Sequence, residues 1–388
     1  EALTIATGCY AQRAPQELAP IADLVLDNGE KEHLLEVVEG LLATKSSSVI
    51  MKDQSPEPFA FCRLFGEKRL KNLAQGKLSE REAKQSHVPY GATRVRSLVK
   101  IQDGCHSPCT YCIVPKVRTH EYSLPASKLV KEVNKKVAMG YKEVILTGTK
   151  IGCYKDAVLS ASGGSGASLK TLIERILSDT DIERLRLSSL QPQEISLEFF
   201  ALWQDRRLCR HFHLALQSGS DTVLQRMRRG YSLENYHRAI NLVKETILGV
   251  AITTDIMVGF PGETDEEFEQ SIGYCRQAGF ANIHVFPFSP RPGTQAAKMP
   301  NQVNDRVKKE RSQKMLELSR ISKHNFEEQF LGQNMRVLWE KEINLGGGIY
   351  SGLTDNYIRV FTKSEKPLTN KITPVKLVGF HDQGMWGN

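Results

Sequence analysis

The chain has no apolar run of the roughly 18 to 20 residues that a membrane-spanning helix requires. Its longest candidate, ILGVAITTDIMVGF, is interrupted by Thr253, Thr254 and Asp255 and reads as a buried strand, so no membrane partner is expected. A disulfide framework is also missing. The eight cysteines stand at 9, 62, 105, 109, 112, 153, 209 and 275, three of them crowded together and the others scattered. That pattern argues against the small, disulfide-stapled class and for metal binding in a reducing compartment, with the cytoplasm as the expected location. There is no internal repeat, which excludes solenoids and propellers. No signal peptide is visible, but the first residue is Glu rather than Met. The chain is therefore expected to start inside a longer protein, and the missing leader carries no weight.

What is present is the balance of a globular protein, with 388 residues, 40% hydrophobic and 25% charged. That length exceeds one ordinary core and implies two or three domains. A formal charge of +8 favours a polyanionic partner, although a surplus of this size also occurs in proteins that bind no nucleic acid.

The middle of the sequence alternates strand-like and helix-like segments. RSLVKIQDG (96–104), EVILTGT (143–149), RLRLSSL (184–190), HFHLALQSG (211–219), AITTDIMVGFPG (251–262) and ANIHVFPFSP (281–290) read as strands. Helical patterns separate them, among them ASKLVKEVNKKVAMG with its glycine cap, SLENYHRAINLVKETI and TDEEFEQSIGYCRQA. Six such strands predict an α/β fold: a partial, open, six-stranded parallel β/α barrel over 96–330, with chemistry at the carboxyl ends of the strands. Residues 1–44 read as part of a small N-terminal α/β domain, in which APQELAPIADLVL and KEHLLEVVEGLLA are helices. Residues 45–95 are expected to be a connector, and ASGGSGAS (161–168) a flexible loop. After a charged helix at about 306–331, residues 331–388 change to short strands with Gly and Asn turns, a small all-β module of the barrel or OB-like kind.

The chemistry-bearing feature is DGCHSPCTYC, which spaces Cys105, Cys109 and Cys112 as C-x3-C-x2-C directly after the first barrel strand. Three thiolates on one loop can hold three irons of a cubane cluster and leave the fourth open for a chelating ligand. The alternative is zinc, which prefers a closed set of four ligands and would need His106 to fold back beside Cys105.

The triad, with Tyr111 just before Cys112, resembles the radical S-adenosylmethionine (SAM) superfamily. KIQDGCHSPCTYCIVP, GYKEVILTG, LQSGSDTVLQRMRRGY, TDIMVGFPGETDEEF and HVFPFSPRPGTQA together resemble the methylthiotransferases, as does the order of parts, with TGCYAQ ahead of the barrel and a TRAM-like β module behind it. The resemblance implies a [4Fe-4S] cluster on Cys105, Cys109 and Cys112. SAM chelating its open iron would be cleaved to methionine and a 5′-deoxyadenosyl radical. It further implies SAM contacts at Tyr111, at Thr147, Gly148 and Thr149, at Gln217 and Ser218, and at Asp255 and Gly259. For several of these a bland reading stands beside the functional one: an ordinary strand-end turn at 147–149, a buried structural acid at Asp255, a packing ring at Tyr111. Arg118 and Ser123 match a family run in which Thr119 replaces the usual glycine. A second [4Fe-4S] cluster is implied, with Cys9 as one ligand and the other two outside this chain, whereas Cys62, Cys153, Cys209 and Cys275 read as buried or incidental thiols.

The implied reaction inserts a methylthio group at an unactivated C–H bond, drawing on SAM twice, on an electron donor protein and on a sulfur source. KIQDGC and LTGTKIGCY look most like the branch that acts on N6-threonylcarbamoyladenosine at tRNA position 37. The alternatives are the isopentenyladenosine branch, the ribosomal-protein aspartate branch, and a non-catalytic metal-containing RNA-binding protein. Arg226, Arg228, Arg229, Lys308, Lys309 and Arg311 are candidate phosphate contacts, with solvated helix faces as the alternative.

Overall fold

A computed structural model describes residues 4–28, 30–43, 95–156, 168–343 and 346–388. The expected connector (45–95), all but its last residue, lies outside the described residues, as do Cys62 and most of ASGGSGAS. The chain divides into two compact units, residues 1–88 with 113–119, and residues 89–112 with 120–388.

In the first unit, strands β1 (Ile5–Thr7) and β2 (Leu24–Leu26) pair in parallel, with short helices Cys9–Arg13 and Pro15–Leu18 between them. The helix expected across APQELAPIADLVL therefore stops at Leu18. Leu24 and Leu26 are buried on one side of β2, and that alternation, with pairing to β1, outcompetes a helical continuation. The helix Leu34–Ala43 is preceded by a 3₁₀ turn at Glu30–His33.

The second unit carries the six parallel strands that the alternation predicts. They are β3 (Arg96–Asp103), β5 (Glu143–Gly148), β6 continued by β7 (Arg184–Leu187, Ser189–Leu190), β8 (His211–Leu214), β9 (Ala251–Val258) and β10 (Asn282–Pro287). A two-residue strand, β4 (Tyr122–Ser123), pairs antiparallel to β3 at one edge. The third barrel strand is split because its two halves have different partners: β6 pairs with β5, whereas β7 pairs with β8. Among the described residues β3 and β10 do not pair, so the barrel is open.

The helices outside these strands present apolar residues at helical spacing: Ala126, Leu129 and Val133; Leu169, Leu172, Ile173 and Ile176; Tyr236, Ile240 and Val243. Each also has a defined start or stop. Ser232 and Asn235, and Thr264 and Glu267, form capping boxes, and Gly279 ends the helix Asp265–Ala278 in the left-handed region with φ of +59°.

After the helix Asp305–Glu328, strands β11 (Asn334–Glu342), β12 (Ile349–Thr354), β13 (Arg359–Lys363), β14 (Ile372–His381) and β15 (Gly384–Gly387) close into a small barrel. This module docks on the amino-terminal ends of the larger barrel's strands, opposite the cysteine loop. Arg184, the first residue of β6, donates to the carbonyls of Leu353 and Arg336 at 2.9 and 2.6 Å. Arg186 donates to the Asp355 carbonyl at 3.0 Å and to Glu143 at 2.8 Å, and Arg210 pairs with Asp355 at 2.6 Å. Glu143 is fully buried; burial alone would raise its pKa, but Arg186, Arg184 and Arg96 outweigh that and hold it below the usual value.

Tyr357 of the module stacks on His211, the first residue of β8, with centroids 4.5 Å apart. Burial, with Arg186, His213, His284 and Arg96 nearby, holds the His211 pKa well below its ordinary value. The unfolded chain therefore binds this proton more readily than the folded one. His211 contributes stability that is present above about pH 6.5 and declines as the pH falls below it, by up to about 1.4 kcal/mol per pH unit. The melting temperature of wild-type protein should drop more steeply between pH 7 and pH 5 than that of His211→Phe; parallel pH profiles would refute this.

Candidate active site

The cysteine loop leaves the carboxyl end of β3 through three residues that fix its path. Gln102 is buried, and its side-chain amide donates to the carbonyls of Asp103 and Gly104 at 3.0 and 2.7 Å while its oxygen accepts from the Lys150 amide at 2.8 Å. Asp103 accepts from the Gly104 amide at 3.0 Å and from the Thr149 hydroxyl at 2.9 Å. Gly104 has φ of +78°, and a β-carbon there would sit 2.1 Å from the His120 carbonyl, so only glycine fits.

Cys105, Cys109 and Cys112 follow as half-buried thiols that form no disulfide. Cys105 Sγ accepts from the Ser107 amide at 3.4 Å, and the Cys112 amide donates to the Cys109 carbonyl at 3.1 Å. His106 does not fold back on Cys105; its Nδ1 pairs with Glu121 at 3.1 Å.

A second segment clamps the loop from behind. The Thr110 amide and hydroxyl donate to the carbonyls of Met227 and Arg226 at 3.1 and 3.0 Å, and its own carbonyl accepts from Ala296 at 2.9 Å. Arg228 occupies the left-handed region at φ +54°, a conformation costly for a side-chain-bearing residue, and the turn brings Arg229 onto the triad. Arg229 Nη1 lies 3.4 Å from both Cys109 Sγ and the Tyr111 hydroxyl, and its Nε donates to Tyr231 at 2.9 Å. Tyr111 packs against Val223, Met227, Phe260, Phe288 and Ala296, with its phenol pKa raised chiefly by burial.

The other strand ends meet the same side of the barrel. Thr147 and Gly148 close β5, and a β-carbon on Gly148 would lie 2.6 Å from the Gln102 carbonyl. Beyond β8, Gln217 has φ of +74°, held by backbone bonds to Asp255 and Met257 at 2.8 and 2.9 Å. Ser218 is fully buried, and its hydroxyl lies 3.3 Å from that of Ser271. Gly259 (φ +71°) faces the Lys308 stem, which a β-carbon would meet at 2.4 Å, and Glu263 ties this turn to Arg311 at 2.7 Å.

Asp255 ends a polarised chain of hydrogen bonds. Its carboxylate lies 3.2 Å from His213 Nε2; His213 Nδ1 lies 2.9 Å from the Thr253 hydroxyl, and His211 Nε2 lies 3.0 Å from the same hydroxyl. His211 Nδ1 is buried with no hydrogen-bond partner. A buried lone pair costs less than a buried N–H, so His211 carries its proton on Nε2 and donates to Thr253. Thr253 then donates to His213 Nδ1, which leaves His213 with an Nε2 proton directed at Asp255. His213, Thr253 and Gln102 were not singled out as site residues by sequence reasoning, and Arg229 was read only as a candidate phosphate contact. The signal for the first two was available: β8 and β9 alternate polar residues on the face opposite their buried apolar ones.

The basic residues read as phosphate contacts divide. Arg226 pairs with Glu267 at 2.5 Å, Arg311 with Glu263, Lys308 with Asp305 at 3.0 Å, and Arg229 lies on the triad. For these four the RNA-contact reading is corrected, since each guanidinium or ammonium is already engaged within the fold. Arg228 and Lys309 are exposed. In the first unit, Cys9 begins the helix Cys9–Arg13, and Asn28 Nδ2 lies 3.9 Å from its sulfur. Burial pushes the Cys209 and Cys275 thiols up to about 12, as suits packing cysteines, and Cys153 lies 4.0 Å from the Glu194 carboxylate.

The donor set suits a cluster better than a single ion. Among the described residues no three His, Cys, Asp or Glu side chains converge on one ion, as zinc would require. Thiolates that each take a different iron of a cubane need not converge on one point, and these three lie on one loop.

The family model described as the radical SAM superfamily matches residues 99–275, and with it come an iron–sulfur cluster and S-adenosylmethionine. The chain is 33% identical over 363 residues to the threonylcarbamoyladenosine tRNA methylthiotransferase MtaB of Aquifex aeolicus, covering 93% of this chain and 80% of that protein. It is 32% identical over 383 residues to the Bacillus subtilis protein of the same name, covering 96% and 77%. To the tRNA-2-methylthio-N(6)-dimethylallyladenosine synthase of Fusobacterium nucleatum it is 31% identical over 376 residues, covering 96% and 79%. With the cysteine loop, the six-stranded open barrel and likeness of this extent in hand, the chain belongs to the radical SAM methylthiotransferases, enzymes that transfer a methylthio group.

Proposed function

We propose that the protein methylthiolates C2 of N6-threonylcarbamoyladenosine at position 37 of tRNA, using one SAM as methyl donor and another as radical source. The observation that carries this reading is the likeness, over more than nine-tenths of the chain, to two relatives named for threonylcarbamoyladenosine tRNA. Cys105, Cys109 and Cys112 would hold the [4Fe-4S] cluster, which when bound supplies the electron for SAM cleavage. Tyr111 and the 147–149 strand end border the SAM site. Asp255, oriented by the Nε2 proton of His213, offers a fixed carboxylate to a ligand hydroxyl, and the strained Gln217 backbone sets the neighbouring strand end. Ser218 and Gly259 support this rim from below, through Ser271 and Lys308. Cys9 contributes one ligand to a second [4Fe-4S] cluster whose other ligands lie outside this chain. The C-terminal module acts as a TRAM-like RNA-binding domain, and an electron donor protein and a sulfur source complete the cycle in the cytoplasm.

The Fusobacterium relative keeps a second reading open, with isopentenyladenosine tRNA as substrate. Mass spectrometry of tRNA nucleosides from a strain lacking the gene decides between them. The expected result is loss of 2-methylthio-threonylcarbamoyladenosine with accumulation of its unmethylthiolated precursor. Loss of the methylthio group from dimethylallyladenosine instead would transfer the function to the second reading.

A further inference from the structure

Arginine is costly to remove from water unless a carboxylate accompanies it, and several of the buried and half-buried arginines among the described residues follow that rule. Arg186 has Glu143, Arg210 has Asp355, Arg226 has Glu267 and Arg311 has Glu263. Arg229 departs from it. Among the described residues it forms no ion pair with a carboxylate; it bonds instead to the Tyr231 hydroxyl, the Tyr111 hydroxyl, the Ala215 carbonyl at 3.5 Å, and Cys109 Sγ. Its guanidinium also lies over the Tyr231 ring, 4.8 Å from the centroid. Tyr231 is itself anchored, donating to the carbonyls of Ala215 and Leu216 at 2.6 and 3.0 Å. A permanent positive charge is thus held against one sulfur of the triad, bonded otherwise to neutral groups, with the Glu194 carboxylate interacting only through space.

We propose that Arg229 is a positioning residue that sets the reduction potential of the triad's cluster, the Cys109 thiolate serving as the counter-ion that its guanidinium otherwise lacks. The inference rests on the cluster reading above and goes beyond it. When the cluster accepts one electron, from a donor protein in the cell or from dithionite in a cuvette, its charge becomes more negative by one unit and no proton need follow. A fixed cation at a ligand sulfur stabilises the reduced form more than the oxidised one and raises the potential. The same contact makes two of the sulfurs unequal: Cys109 carries the guanidinium, whereas Cys105 accepts from the Ser107 amide.

The test uses anaerobically reconstituted protein, titrated with dithionite and followed by electron paramagnetic resonance. Arg229→Gln should bind its electron at least tenfold more weakly than wild type, about 59 mV more negative for a one-electron couple. Arg229→Lys, which keeps the charge, should stay within half of that shift. A Gln variant with the wild-type potential would overturn the proposal. If the Gln variant holds no cluster, the Lys variant decides: a cluster near the wild-type potential supports the role of charge, and failure to hold one shows that shape alone matters and overturns it. Wild-type protein that takes up no iron and sulfide would defeat the cluster reading itself, a result distinct from an unshifted potential.

Discussion

Cys109→Ala protein should lose reductive SAM cleavage, with 5′-deoxyadenosine formation reduced on the order of a hundredfold or more. Outer contacts to a metal site alone typically cost ten- to a hundredfold, and this substitution removes a ligand. The surroundings of Cys109 are also well built: its carbonyl receives the Cys112 amide, its sulfur receives Arg229, and the next residue, Thr110, is bonded on both sides. The loop should therefore keep its path without the thiol, so the loss reports on the cluster and not on unfolding. The measurement pairs iron and acid-labile sulfide analysis with chromatographic assay of 5′-deoxyadenosine. Cys275→Ala is the control, since its buried thiol packs in the core and should leave both readouts unchanged. Retained 5′-deoxyadenosine formation in Cys109→Ala would count against the triad as the cluster site.

The largest expected effect on stability lies at the opposite end of the barrel. Glu143→Gln should cost about 3–5 kcal/mol, because it leaves Arg186, and Arg184 at 3.8 Å, buried without their carboxylate. Replacing the set by apolar residues is the informative contrast. Glu143→Leu combined with Arg186→Met removes acid and base together and should be milder than the single substitution, although Arg186 also donates to the carbonyls of Thr354 and Asp355. Chemical denaturation of the three proteins measures the difference. A loss below about 1 kcal/mol in Glu143→Gln would show that the network is not held by charge pairing.

The sequence revealed the parts that depend on local pattern. Period-two runs bounded by helical stretches located all six barrel strands, and the glycine after Met139 located a helix end, because both signals sit in adjacent residues. It misjudged β2, whose three residues become a strand only through pairing with β1, many residues earlier in the chain. The site divides in the same way. The triad is legible because cluster ligation needs fixed thiol spacing on one loop. The Arg229 contact, the His211–Thr253–His213–Asp255 chain and the commitment of Arg226 and Arg311 to carboxylates are not, since each joins segments tens of residues apart. A run such as RMRR shows that charge is present, and only the fold shows where each charge is used.

The docking of the C-terminal module bears on where this protein can be cut. Domain boundaries are usually sought where few contacts cross, and the end of the helix Asp305–Glu328 looks like one. Yet the first residues of β3, β6 and β8 find partners in the module: Arg96 pairs with Glu340 at 2.7 Å, Arg184 donates to module carbonyls, and His211 stacks on Tyr357. A barrel shortened at residue 330 would expose a floor of arginines, with His211 among them, that the module otherwise covers. The terminal module is thus the barrel's own base as much as an accessory.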